Sequence, residues 1–155
     1  MQFRIETKET LFVMGPAIRV SVADGPNRHT VPQFYDQCVA EGVFAAFDAL
    51  PNRTDRNVLG WMDDWDPKTR SFAYMIGVAV TDLNAVPDGW VTRTHPAGRF
   101  FVAEARGKLP EAIQGLGGPA NEAVKAQGLI RNGNFDCEVY LPDCENRAEY
   151  WIPIK

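Results

Sequence analysis

Phe135-Asp136-Cys137-Glu138-Val139-Tyr140-Leu141-Pro142 alternates two rows of different chemistry. Successive side chains on a strand leave opposite faces, so Phe135, Cys137, Val139 and Leu141 form one row, and Asp136, Glu138 and Tyr140 the other. Two readings fit this pattern. In one, the segment is an antiparallel strand with a core side and a wet side. In the other, Glu138 stands in the wall of an aromatic pocket, with Tyr140 two residues along on the same face.

Working outward, Ala148 to Ile154 is a second extended run that closes the chain. Upstream, Val58 to Trp65 and Phe72 to Val80 form a similar pair, joined by a polar connector containing Pro67. Gln2 to Thr7 and Phe12 to Val22 are extended, the latter interrupted at Gly15-Pro16, and Trp90 to Thr94 and Arg99 to Arg106 read the same way. Between them, Thr30-Val31-Pro32-Gln33 carries a helix start with Thr30 as the cap, followed by an apolar stripe at Val31, Tyr35, Cys38, Val39, Val43, Phe47 and Leu50. A second, weaker helix opens at Leu109-Pro110-Glu111 and is interrupted by Gly115 to Pro119.

The order is therefore β-α-β-β twice. Two local matches support a duplication: Gly15 to Val20 with Ala97 to Val102, and Tyr74 to Val78 with Tyr150 to Ile154. The expected fold is α+β, a single domain over 1–155 with pseudo-repeats at about 1–82 and 83–155. Pseudo-twofold symmetry would bring two main helices onto antiparallel sheet and leave a central cleft, a frequent ligand site. If the halves superpose, Trp61 and Glu138 take related positions on the two penultimate strands.

With 155 residues, 45% of them hydrophobic, the chain is long enough for one sizeable core. A net charge of −4 without a basic stripe argues against direct nucleic-acid contact. The charged opening from Met1 to Lys8 is unlike a leader, and no apolar run reaches the roughly 18 residues of a membrane helix, so a cytoplasmic address with no membrane contact is expected. Three cysteines make no disulfide framework. Cys38 and Cys137 fall at core positions and Cys144 in a loop as a free thiol.

Several chemistries find no support. The two serines, Ser21 and Ser71, lie outside any Gly-x-Ser-x-Gly elbow. His29 and His95 lack ligand spacing, so no metal is expected. Gly115 to Ala120 imitates a dinucleotide fingerprint but follows no strand, and no cofactor is expected. Asp63, Asp64 and Asp66 read as a solvated turn.

The closing hairpin, from Phe135 and from Ala148, resembles the C-terminal signature of the effector-binding domains of AraC-type and multidrug-responsive bacterial transcription regulators, the gyrase-inhibitor-like superfamily. Tyr74 to Val78, and Ala97 to Phe100 followed by Leu109 to Ile113, are similar to that family as well. The resemblance spans almost the whole chain in a stand-alone form without a helix-turn-helix module. It implies that Glu138 lies at the bottom of an aromatic-lined cavity and attracts lipophilic cations.

A buried carboxylate is costly to keep charged, and a lipophilic cation offsets that cost while aromatic faces add cation–π attraction. Tyr140, Trp61, Tyr74, Trp90 and Trp151 are the aromatic candidates beside Glu138. The expected function is non-enzymatic binding of a small hydrophobic or cationic ligand, with a regulator protein or a homodimer as further partners. Two alternatives come from the same resemblance: a small hydrolase of electrophilic compounds using Glu138 and a Tyr, or a gyrase-inhibitor-like protein-binding module.

Overall fold

The computed structural model describes residues 1–142 and 145–155, so the expectation for Cys144 lies outside the described residues. The elements run β1 (Gln2–Lys8), β2 (Leu11–Gly15), β3 (Ala17–Ser21), α1 (Thr30–Ala40), α2 (Val43–Asp48), β4 (Val58–Asp66), β5 (Ser71–Val80), β6 (Val91–His95), β7 (Gly98–Arg106), α3 (Gly117–Ala126), β8 (Asp136–Tyr140) and β9 (Arg147–Ile154). This is the α+β class, with one antiparallel sheet and three helices among the described residues.

The sheet order is β1-β7-β9-β8-β4-β5-β2-β6, with β3 also paired to β5. It reads alike from both ends: hairpins β4–β5 and β8–β9 meet in the middle through β4 and β8. Taken as two units, 1–82 and 83–155, the chain exchanges its first strands, since β1 pairs with β7 and β6 with β2.

Both faces of the sheet are buried, which explains why β5 and β9 read as near-continuous apolar runs. On one face Val13, Trp61, Phe100, Val102, Phe135, Cys137 and Trp151 form a single cluster drawn from strands far apart in the order, so the sheet is curved and packs upon itself. The other face carries two separate cores. Phe34, Cys38, Val43 and Phe47 of α1 and α2 cover Val20, Tyr74, Ile76 and Val78. Ala120 and Val124 of α3, with Ile113, cover Phe101, Ala103, Tyr150 and Ile152. Between these blocks lies the cleft, floored by β4 and β8.

The first helical segment departs from its sequence reading in two ways. The N-cap position is His29, which makes no side-chain cap bond, and not Thr30. Just upstream, the Asn27 side-chain oxygen accepts the N–H groups of His29 (3.2 Å) and Thr30 (3.1 Å). Gly42, at φ 73°, then breaks the run into α1 and α2 and shifts the phase of the stripe. Within α1, ahead of that break, the buried face runs through Phe34 and Cys38, whereas Val39 is 67% exposed. In the second segment, residues 109–115 form turns and the helix begins at Gly117, where Pro119 sits in the first turn and is tolerated.

Within the acidic cluster, Asp63 differs from the solvated-turn reading, while the Asp64 side chain is 74% exposed. Asp63 accepts from Arg93 Nε at 2.6 Å and from Trp61 Nε1 at 3.0 Å, which ties β4 to β6.

Candidate functional site

The cleft encloses a cavity of about 880 Å³, within the range that holds a drug-sized molecule. Its floor is β4 and β8, one wall is α1, and the opposite wall is the segment before α3 that carries Leu109, Pro110, Glu111 and Gln114.

Glu138 reaches this floor because alternation on β8 sends it, with Asp136 and Tyr140, to the helix-covered face. Its Oε1 accepts the hydroxyl proton of Tyr74 at 2.8 Å. Tyr74 starts two strands away, on β5, and its ring crosses β4 at Gly60, which stands opposite Glu138 in the register. Only glycine permits the crossing: a Cβ at position 60 would lie 2.2 Å from the Tyr74 hydroxyl and 3.1 Å from Glu138 Oε1.

Tyr35 of α1 continues the cluster. Its hydroxyl lies 3.4 Å from that of Tyr74, and its ring meets Tyr140 edge-on at 6.0 Å. Met62 and Phe72 complete the apolar lining.

Burial pushes the Glu138 carboxyl above its usual range, and the hydrogen bond from Tyr74 pulls it partly back. Burial is also the leading cause that raises the phenols of Tyr35, Tyr74 and Tyr140, which stay protonated and able to donate. Asp136, on the same strand and face, has a different environment. It pairs with Arg131 at 2.5 Å and also accepts from Tyr150 and Asn121. The chain neutralises Asp136 with its own guanidinium, while the described partner of Glu138 is a neutral phenol.

This difference sets a pH dependence in the ligand-free protein. The folded state holds the Glu138 proton to higher pH than the unfolded chain, whose value is near 4.5. Between the two values the folded state binds more protons, so this group's contribution to stability declines as pH rises through that window. Glu138→Gln removes the slope, and the expected result in urea unfolding is a stability advantage for the variant that grows upward from pH 4.5 and then levels off. A variant that tracks the parent at every pH would show that the carboxylate bears no burial cost.

Of the residues singled out in the sequence, Glu138, Tyr140 and Tyr74 line the cavity. Trp61, Trp90 and Trp151 do not. Trp61 pairs with Cys137 in the register and shares its face, where it stacks on Phe135 at 3.8 Å. Trp151 lies on that face too, under the Lys8 ammonium at 3.8 Å. Trp90 packs edge-on against Phe47 at 5.1 Å, outside the lining.

The expected equivalence of Trp61 with Glu138 is off by one residue. The offset that carries Tyr74 onto Tyr150 carries Met62 onto Glu138 and Trp61 onto Cys137, and on a strand one residue changes the face. Sequence reasoning missed Gly60, Tyr35 and Arg28 as site residues. A glycine inside a strand is a signal of close approach, and Tyr35 lay on the α1 stripe facing the sheet. Arg28, on the loop before α1, carried no signal.

Among the described residues there is no cluster of His, Cys, Asp and Glu that could hold a metal ion, and no helix is long and apolar enough to cross a membrane.

A family model described as Cass2, integron-associated effector binding protein, matches residues 4–154. The fold is similar to that of SAV2435, solved bound to tetraphenylphosphonium, with a TM-score of 0.80 at 19% identity, covering 100% of this chain and 94% of that one. It is similar to an integron cassette protein from the mobile metagenome of Vibrio cholerae, with a TM-score of 0.65 at 20% identity and coverage of 99% and 95%. It is also similar to the C-terminal domain of EcmrR, with a TM-score of 0.66 at 15% identity and coverage of 99% and 97%. No curated protein sequence matches the chain.

Proposed function

The chain belongs to the integron-associated effector-binding family, and from that premise we propose that its cavity takes a lipophilic organic cation, with Glu138 as the counter-charge. The observation that carries this reading is the contrast along β8. Asp136 has Arg131 as its cation, whereas Glu138, at the floor of an apolar cavity, has only the Tyr74 hydroxyl described against it. A carboxylate held this way gains most from a charge that arrives with its own apolar body. The phenol rings of Tyr35, Tyr74 and Tyr140 add cation–π attraction of about 0.5 to 2 kcal/mol for each good contact.

The rim supports the same sign of charge. Apart from Glu138 on the floor, Asp36 and Glu111 outnumber Arg28 among the charged residues of the lining. Tetraphenylphosphonium, the molecule bound to SAV2435, is a ligand of this class and the natural first probe. Neither a regulator nor an enzyme reaction is needed for this step, which is binding alone.

The test is calorimetric titration with tetraphenylphosphonium and with tetraphenylborate, which matches it in size and shape and has the opposite charge. Tryptophan quenching is the poorer readout, because no tryptophan lines the cavity. Selective binding of the phosphonium is expected, and its affinity should fall as pH drops through the raised Glu138 value, where a proton competes for the same oxygen. Equal binding of the borate, or a pH-independent phosphonium affinity, would rule out Glu138 as the counter-charge.

A further inference from the structure

We propose that β1 is the association edge of a symmetric homodimer, in which two copies pair β1 with β1 antiparallel about Ile5. Among the described residues, β1 ends the sheet and is paired on one side only, to β7. An open edge presents a row of free N–H and C=O groups, and folded proteins normally blunt such edges. This one is left apolar on one face. Of the six large hydrophobic side chains exposed among the described residues, three are Met1 (57%), Phe3 (39%) and Ile5 (43%). Phe3 is fixed in place, stacked on Phe101 at 4.6 Å, so the edge offers an ordered apolar shelf. The opposite end of the sheet, β6, exposes Thr92 and Thr94 instead.

Charge chooses the occupant and the register. Two copies of Gln2–Lys8 pair antiparallel about a twofold axis that passes at one residue, since alternation keeps directly opposed side chains on one face, and those side chains interact. Centred on Arg4, the pairing sets arginine against arginine. Centred on Glu6, it sets glutamate against glutamate and Arg4 against Lys8. Centred on Ile5, it sets Ile5 against Ile5, Gln2 against Lys8, and Arg4 of each copy against Glu6 of the other, so that the Arg4–Glu6 pair already made within each strand, with side chains 43% and 38% exposed, extends across the axis. The strand is thus complementary to itself in this register. On the apolar face the two Ile5 side chains meet, flanked by the Phe3 rings. The cavity stays open, because β7 and β9 separate β1 from β8.

Sedimentation velocity of the parent, run up to roughly 100 μM, a range suited to small transient interfaces, is expected to show a species of twice the 17.3 kDa chain mass. Ile5→Lys places two like charges on the axis, and its dimer dissociation constant should rise at least about tenfold, with the tetraphenylphosphonium titration unchanged and the melting curve unchanged at dilutions where both proteins are monomeric. The register is read by cross-linking in a Cys144→Ser background. Ile5→Cys should oxidise to a covalent dimer, while Phe3→Cys, which faces Thr7 of the second copy, should not. A parent that stays monomeric, an Ile5→Lys dimer as tight as the parent's, or linkage through Phe3→Cys in place of Ile5→Cys would each overturn the proposal. None of these outcomes depends on what the cavity binds.

Discussion

Glu138→Gln is expected to weaken tetraphenylphosphonium binding by at least about 30-fold, or about 2 kcal/mol, while triphenylphosphine oxide, a neutral relative of similar shape, changes by less than about 3-fold. The substitution keeps volume and the acceptor oxygen that meets the Tyr74 hydroxyl, so the cavity keeps its shape and loses its charge. A cation buried opposite an amide has given up its hydration without a counter-ion, which is where the penalty comes from. The same change should stabilise the empty protein at neutral pH, because the desolvation that raises Glu138 no longer applies. Gain in stability with loss of cation affinity is the signature of a carboxylate kept for its ligand. Equal weakening toward the oxide would mean that Glu138 shapes the cavity and does not supply its charge.

The fold was largely legible. Period-two alternation located β3 and β8, near-continuous apolar runs located β5 and β9, and β8 declared its two faces so plainly that Glu138 and Tyr140 were assigned to one of them from sequence alone. The tryptophans were not legible, because facing depends on register, and register depends on which residue of β4 stands opposite which residue of β8. A slip of one residue in aligning the halves moved Trp61 to the wrong face. Composition misled in the same direction: large aromatics looked like pocket material, yet Trp61, Trp151 and Phe135 are what the curved sheet packs around on its other side. The wall before α3 was hidden for a different reason, since its turns follow from packing of Leu109 and Ile113 onto the α3 core and not from local periodicity.

Three of the four aromatic residues that line the cavity are tyrosines, and this has a chemical consequence. A phenol offers a π face to a cation and an O–H to a carboxylate at the same time. Tyr74 uses its hydroxyl on Glu138 and is nearly fully buried, so it holds the acceptor in place before any ligand enters. Such preorganisation lowers the ordering cost of binding. It also makes the floor depend on a residue with no side chain at all.

Gly60→Ala should therefore destabilise the protein by about 2 to 4 kcal/mol, combining overpacking with loss of a hydrogen bond to a charged group. In a chain of this size that is a drop of roughly 6 to 12 °C in melting temperature. The added methyl would sit 2.2 Å from the Tyr74 hydroxyl and 2.9 Å from the ring carbon that bears it. The ring has little room to retreat, since it is 1% exposed and packed within the core under α1. Once Tyr74 is displaced, Glu138 loses the one interaction that lowers its pKa, so the pH below which tetraphenylphosphonium affinity falls should move upward. Tyr74→Phe removes the atom of closest contact, and in the Gly60→Ala background it should restore at least about 1 kcal/mol, a departure from additivity that a double-mutant cycle measures directly. Strictly additive costs would mean that the ring and the methyl never meet, and that Glu138 is positioned by something other than the crossing at Gly60.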